Sequence, residues 1–379
     1  MLKAQKKSID KILHIITLFE RGGAQSVVLE LARAFTEAGH EIGVMSAKGG
    51  EAWGELDPRV RRFSSAHMAR EVTPREDVQA LLEILRVVRE FRPDILHLHS
   101  SKAGVLGRVA GAVSGMSDRT IYTVHGFDTI LKAHRAYLPL ERILSRFCGA
   151  VVAVSDYDLA NLRTSGIRNA VSVPNAVRNF REDPEHPDTA LVRTLESARS
   201  GGRRVILTLA RLAPPKRFDL VARTARILDA EGYTFFWIGN REPPAGPLPG
   251  NLSCLGDLPD ARLLLRHADA SLLLSDYEGL PMSVLESLCA GVPVVASAVG
   301  GIPEALRDGG GIAVRNDPAA VADAIRRVAG TPEDRLRFGA SARASYEDRY
   351  SVAAMAGAYR RIYDRPASRD PGGRGMEHL

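Results

Sequence analysis

Cysteine is scarce in this chain. Cys148, Cys254 and Cys289 stand far apart among 379 residues, form no Cys-x-x-Cys pair and leave an odd number. That pattern argues against a disulfide framework and a cysteine-based zinc site, and suits a reducing, cytoplasmic setting. Long apolar runs are missing as well. No stretch approaches the ~20 residues that span a bilayer, and the basic, polar start from Met1 to Lys7 leads into a short strand rather than a signal-peptide core. The chain is therefore expected to be neither exported nor membrane-spanning. The dinucleotide fingerprint G-x-G-x-x-G does not occur, which lowers the case for hydride transfer with a nicotinamide cofactor. Aromatic residues make up only 6% and form no platform interleaved with basic residues, so nucleic acid is not expected as a partner.

What is present is an ordinary globular composition, 45% apolar and 25% charged, with an uneven net charge of +6. Residues 1–178 hold 25 Lys plus Arg against 19 Asp plus Glu, whereas the remainder holds 26 of each. The excess in the first half suits either a solvated face or contact with something anionic, such as a phospholipid surface or a pyrophosphate-linked substrate.

Short apolar strands alternate with amphipathic helices throughout, a pattern that predicts α/β architecture with parallel sheets covered on both faces. Strands are expected at 11–19, 41–46, 94–99, 120–124, 150–154 and 171–173, with helices near 23–39, 75–91, 102–115, 135–147 and 156–165. No strongly amphipathic helix stands out. The polar stretch 179–203 interrupts the rhythm and reads as a linker between a first domain, 1–178, and a second, 204–349. The second series has strands near 204–210, 233–238, 251–255, 270–274, 292–296 and 311–314, with helices near 216–231, 259–268, 281–290, 303–307 and 318–329. Helices at 332–347 and 351–364 exceed what the second domain needs. The segment 350–365 is expected to cross back onto the first domain, and 366–379 to be a disordered tail. Two doubly wound sheets place their ligand sites at the carboxyl ends of the strands.

The most informative stretch runs from Glu278 through Gly279, Leu280 and Pro281 to Glu286. It follows an apolar strand and opens a helix, so its first N–H groups and the helix dipole favour an anion, and Pro281 suits a first turn. Two acids at an anion-seeking helix start make sense for a ligand that also carries hydroxyls, as a nucleotide sugar does. Glu286 lies about two helical turns beyond Glu278, so the pair could grip a sugar and a ribose at two ends of one ligand. The plainer reading makes Glu278 a dipole partner and Glu286 a solvated residue.

Arg211 and Lys216 follow the first strand of the second domain. A forked Arg and a Lys point charge can neutralise a departing diphosphate without metal, although Lys216 and Arg217 could also be solvated cations opening a helix. Gly22 and Gly23 sit between the first strand and first helix, where glycine lets a ligand approach the backbone. His125, beside Gly126 at a strand end, is placed to meet a substrate or to serve the fold. His97 and His99 share one strand face with no third His or carboxylate adjacent in sequence, so no metal triad is expected. Ser100, Ser101 and Lys102 form a polar, cationic helix start suited to an acceptor. Asp156 and Asp158 have metal-motif spacing but follow Ser155 at an expected N-cap.

Taken together, these residues resemble the retaining glycosyltransferases of the GT-B fold, specifically glycosyltransferase family 4 and its glycogen-synthase-like relatives. The resemblance covers nearly the whole chain. It rests on Glu278 to Glu286, the pair Arg211 and Lys216, Gly22-Gly23, His125-Gly126, Val173 to Val177, Ala290 to Ala296 and Gly300 to Glu304. Ala210 and Ala176 depart from the family's usual glycines. The resemblance implies two Rossmann-like domains, the first binding acceptor and the second a nucleotide sugar. Arg211 and Lys216 would hold the donor diphosphate, Glu286 the ribose, Glu278 the donor sugar and His125 the sugar or acceptor region. Backbone at Gly23 and Gly279 to Pro281 would complete the contacts, with no metal and no cofactor.

The segment from His99 to Gly104 is similar to that of members building bacterial exopolysaccharide, capsule or lipopolysaccharide. It implies a UDP-sugar donor, with GDP-mannose as competitor, and a glycan or lipid-linked acceptor met at the inner membrane face. A sugar-nucleotide epimerase or a catalytically silent nucleotide-sugar-binding subunit are the alternatives.

Overall fold

A computed structural model describes residues 10–365 apart from 129, 132–134 and 187, so the expected tail from 366 onward lies outside the described residues. The chain falls into two compact units. One runs to Asn175 and resumes at Val352, and the other is Ala176–Ser351.

The first unit is built on seven parallel strands: β1 (Lys11–Ile16), β2 (Glu41–Ala47), β3 (Arg61–Ser65), β4 (Ile95–His99), β5 (Thr120–Val124), β6 (Ala150–Ala153) and β7 (Ala170–Ser172). Their order is β3-β2-β1-β4-β5-β6-β7. Helices α1 (Gly23–Glu37), α2 (Pro74–Phe91), α3 (Ser101–Val113), α4 (Leu138–Leu144) and α5 (Asp156–Thr164) supply the crossovers. β4, β5 and β6 are buried along their whole length, as strands covered on both faces must be. The sequence reading missed β3, because an edge strand reading Arg61-Arg62-Phe63-Ser64-Ser65 with both arginines exposed carries no apolar run. Charge of this kind also blocks pairing with another chain.

α3 lies close on the sheet through three glycines. A Cβ on Gly104 would fall 2.4 Å from the Tyr122 ring, on Gly107 2.3 Å from Leu98, and on Gly111 2.3 Å from the Thr120 hydroxyl. The same close approach buries Arg108, which pairs with Glu141 at 2.8 Å and stacks 4.4 Å from the centre of the Tyr122 ring.

The second unit has six parallel strands, β8 (Arg204–Leu209), β9 (Tyr233–Ile238), β10 (Leu252–Cys254), β11 (Ala270–Leu273), β12 (Val294–Ser297) and β13 (Gly311–Val314). They are ordered β10-β9-β8-β11-β12-β13. Its helices are α6 (Thr189–Ser200), α7 (Phe218–Leu228), α8 (Met282–Ala290), α9 (Ile302–Leu306), α10 (Pro318–Ala329) and α11 (Pro332–Arg349). Within 179–203, expected as a linker, about half of the chain is α6. Asp188 caps its N-terminus by accepting from Ala190 and Leu191, and Val192 and Leu195 bury one face. That stripe is too short and too polar around it to stand out in the sequence.

The last helix, α12 (Val352–Tyr363), belongs to the first unit, as expected of a segment crossing back. It buries Met355, Tyr359, Ile362 and Tyr363. Buried tyrosines need partners for their hydroxyls, and Tyr359 meets Thr123 Oγ1 at 2.9 Å while Tyr363 meets His97 Nδ1 at 2.7 Å.

Gly107→Ala should destabilise the first unit by about 1–3 kcal/mol, because the added methyl must displace a fully buried Leu98. Thermal or denaturant unfolding checks this, and an unchanged midpoint would contradict the close α3 packing.

Candidate active site

Both strand orders reverse direction once, between β1 and β4 in the first unit and between β8 and β11 in the second. At such a switch point the two following loops diverge to opposite sides of the sheet and leave a crevice at the strands' carboxyl ends. Most of the residues singled out from sequence fall on the four loops that these two points create.

In the second unit the loop after β8 carries Arg211 and Lys216, and the loop after β11 carries Glu278 to Pro281. The loops are joined. Lys216 and Ser275 form an isolated bridge, and the Lys216 ammonium pairs with Glu278 Oε1, which also accepts from Ser275 Oγ at 2.6 Å. Glu278 Oε2 has no partner among the described residues. Lys216 lies ahead of α7, which starts at Phe218, so it does not open a helix. Arg217 does stand at the helix start, where Asp219 and Asp276 hold it at 2.8 and 2.9 Å. Arg211 is exposed and makes no hydrogen bond or ion pair among the described residues.

The acidic loop is braced from beneath. Ser297 Oγ accepts from the Ser275 N–H at 2.9 Å and meets Asn316 Oδ1 at 2.5 Å, while Asn316 Nδ2 donates to the Ser275 carbonyl at 2.9 Å. Gly301 donates to the Gly279 carbonyl at 2.8 Å. Gly300 has φ +58°, and a Cβ there would lie 1.9 Å from the Glu278 carbonyl oxygen, so only glycine lets the two loops touch. Pro281 caps α8, whose first N–H groups have no intrahelical acceptors. Glu286, one turn further in, makes no hydrogen bond or ion pair among the described residues. Burial pushes its carboxyl above the ordinary range, and Arg262 pulls the other way.

In the first unit Gly22 caps α1 in extended backbone and Gly23 opens it. Ser100 has φ +73° and clips the switch point shut, its hydroxyl 2.7 Å from Thr17 Oγ1 and accepting from the Thr17 N–H at 3.1 Å. Lys102, expected as part of a cationic helix start suited to an acceptor, pairs with Asp77 at 2.6 Å and donates to the Glu71 carbonyl. Ser101 is exposed. Asp158 is fully buried, receives the Phe127 N–H at 3.0 Å and shares the N-cap with Ser155, so the Asp156-Tyr157-Asp158 stretch is a capping arrangement.

His125 directly follows β5 and is not isolated. The β1–β4 register sets His14 opposite His97, bringing in the third histidine that the local sequence lacks, and one nitrogen from each of His14, His97 and His99 lies within 4.8 Å of the other two. Among the described residues no carboxylate joins this cluster. Five of its six nitrogens are hydrogen-bonded, and His14 Nε2 is not: His14 Nδ1 meets His99 Nε2 at 3.2 Å, His99 Nδ1 meets His125 Nε2 at 3.1 Å, and His97 binds Thr123 and Tyr363. Burial holds His14 down to about 3 and His125 to about 4, and His97 and His99 well below the usual histidine range. The four rings are neutral at neutral pH.

Sequence reasoning passed over Ser297, Asn316 and His14 as site-forming residues, since each reaches the site only through strand pairing. Gly300→Ala should push the Glu278 loop out of place. Loss of the Lys216–Glu278 pair, read from a crystal structure of the variant, is the expected result, and an unmoved Glu278 would contradict it.

The Glycosyltransferase Family 4 model matches residues 21–178 and the Glycosyl transferases group 1 model matches 203–330. An Escherichia coli UDP-Gal:alpha-D-GlcNAc-diphosphoundecaprenol alpha-1,3-galactosyltransferase is 24% identical over 77% of this chain and 80% of its own. N-acetyl-alpha-D-glucosaminyl L-malate synthase of Bacillus anthracis is 25% identical over 90% and 93%. Among solved structures, Anabaena HepE in complex with UDP and glucose superimposes with a TM-score of 0.77 at 17% identity, covering 93% of this chain and 98% of that one. With one glycosyltransferase model on each doubly wound unit, the chain is a member of glycosyltransferase family 4 with the GT-B fold.

Proposed function

We propose that this enzyme transfers a hexosyl group from a nucleotide sugar, a UDP-sugar, to a glycan or lipid-linked acceptor in cell-surface polysaccharide biosynthesis, with retention of configuration and without a metal ion. The observation that carries this reading is the second unit's switch point, where the β8 loop holds an unpaired Arg211 and a Lys216 locked to Glu278, and the β11 loop leads into the start of α8. Arg211 and Lys216 would receive the diphosphate, with the helix start adding partial positive charge. Glu278 Oε2 would accept a sugar hydroxyl while Oε1 keeps Lys216 in place. Glu286, without a hydrogen bond or ion pair among the described residues, would accept the ribose hydroxyls, and His125 would meet the sugar. Two cations on the leaving group, with Glu278 committed to Lys216 through one oxygen, favour departure of the diphosphate on the face that the acceptor hydroxyl enters. The donor and lipid-linked acceptor named for the Escherichia coli relative are of this class.

Replacing Arg211 or Lys216 by Ala should cost about 2–4 kcal/mol in the transition state, as removal of a preorganised electrostatic donor does. Transfer of label from UDP-sugars to a membrane extract measures it, and near-full activity in either variant would contradict the assignment. Isomerised donor or binding without turnover would point to the epimerase or silent-subunit alternatives.

Nucleotide affinity carries a pH signature. Glu286 must be ionised to accept two hydroxyls, and its carboxyl sits above the ordinary range, so UDP affinity should fall as pH drops through that raised value and recover above it. Calorimetry should show this fall in the wild type and not in Glu286→Gln, which should bind UDP more weakly at higher pH; equal affinity there would remove the ribose role.

The first unit would dock on anionic membrane. Besides its net charge, it exposes Tyr137, Leu140, Ile143 and Phe147 along α4 and its flanking turns, with Arg135, Arg142 and Arg146 interspersed. This is an apolar stripe with cationic edges, as interfacial helices have. Cosedimentation with phosphatidylglycerol vesicles should be strong at 0.1 M salt and weak at 1 M, where the Debye length falls from about 10 Å to about 3 Å. No binding at low salt, or binding unaffected by Ile143→Glu, would contradict it.

A further inference from the structure

We propose that His14 and His99 are positioning residues that, through a one-way chain of imidazoles, fix His125 as its Nδ1–H tautomer, so that His125 donates a hydrogen bond to a sugar hydroxyl oxygen rather than accepting one. The proposal rests on the reading that His125 meets the sugar, and goes beyond it by assigning the direction of the contact and the residues that set it.

The chain is laid down by strand pairing. β1 supplies His14, β4 ends in His99, and β5 is followed by His125, giving the contacts His14 Nδ1 to His99 Nε2 at 3.2 Å and His99 Nδ1 to His125 Nε2 at 3.1 Å. The His99 and His125 rings are nearly parallel, 22° apart. Deep burial keeps all three neutral, so each ring carries one proton and the chain carries three. Each nitrogen-to-nitrogen contact needs one proton between its two atoms. Two protons are thereby placed, and the third must sit at one end of the chain.

The ends are His14 Nε2 and His125 Nδ1, both covered and both without a hydrogen-bond partner among the described residues. They differ in their surroundings. His14 is wholly buried, whereas His125 is only partly so. A permanently orphaned N–H is tolerated less well than an orphaned acceptor. The third proton therefore belongs on His125 Nδ1, in the ring that is not wholly sealed from solvent, and His14 Nε2 is left bare. His14 then donates from Nδ1 to His99, and His99 donates from Nδ1 to His125.

His97 packs against the chain, its ring centre 4.1 Å from that of His99, but stays outside it. Its Nε2 is 2.8 Å from Thr123 Oγ1 and its Nδ1 is 2.7 Å from the Tyr363 hydroxyl, and Tyr359 completes the set by meeting Thr123. No carboxylate or cation hydrogen-bonds to any of the three rings among the described residues.

The test is nitrogen NMR of the full-length protein with ring-labelled histidine, which distinguishes a protonated from a bare ring nitrogen. His14, His99 and His125 should all be Nδ1–H in the wild type; an Nε2–H tautomer on His125 would overturn the proposal without any variant being made. His99→Leu removes the inward donor and should lower the Nδ1–H fraction of His125. It should also reduce kcat for sugar transfer about 10- to 100-fold, as loss of a histidine-orienting partner does, with UDP affinity unchanged. His99→Asn, whose amide can donate to His125 Nε2, should restore both. An Nδ1–H fraction in His99→Leu equal to the wild type would overturn the proposal. The expected tautomers in a protein that transfers no sugar would uphold the chain and remove the transferase reading, whereas transfer by a protein with Nε2–H His125 would do the reverse.

Discussion

The side-by-side parallel pairing of β1 with β4 and of β8 with β11 is the constraint on which the rest depends. Each pairing joins strands distant in sequence, and each reverses the order in which strands are added to its sheet. The loops leaving such a pair must part, so the crevice between them is a consequence of connectivity and not of any side chain in it. Residues separated by ~60 to ~85 positions then meet without further design. Lys216 reaches Glu278 in one unit, and Thr17 reaches Ser100 in the other.

Which charges are already committed distinguishes scaffolding from ligand-facing chemistry. Lys102 is neutralised by Asp77, Arg108 by Glu141, and Arg217 by Asp219 and Asp276, so these cations chiefly hold elements together. Among the described residues Arg211 and Glu286 have no hydrogen-bond or ion-pair partner, and Glu278 keeps one oxygen open. An uncompensated carboxylate that burial already disfavours is one that a hydroxyl-bearing ligand can satisfy. The Lys216–Glu278 pair combines both roles, because each partner keeps the other oriented.

Much of this was legible in the sequence. Alternating strands and helices gave two doubly wound units, and the loops carrying Arg211, Lys216 and Glu278 were found from their position after apolar strands. Three things were not. β3 carries two arginines on an edge and has no apolar signature. α6 buries only a narrow stripe inside a polar stretch. His14 reads as an ordinary strand residue until the β1–β4 register sets it opposite His97. In each case the missing information was tertiary, the identity of the neighbour across a strand or beneath a helix. Lys102 shows the converse, a residue type suited to an anion that a distant Asp77 had already claimed.

The central claim is that the diphosphate, drawn off by Arg211 and Lys216, leaves from the face that the acceptor enters. The most direct measurement is the anomeric configuration of the product, read by NMR after transfer from an α-linked UDP-sugar. An α-linked product is the predicted result. A β-linked product would mean attack from the opposite face and would contradict the account.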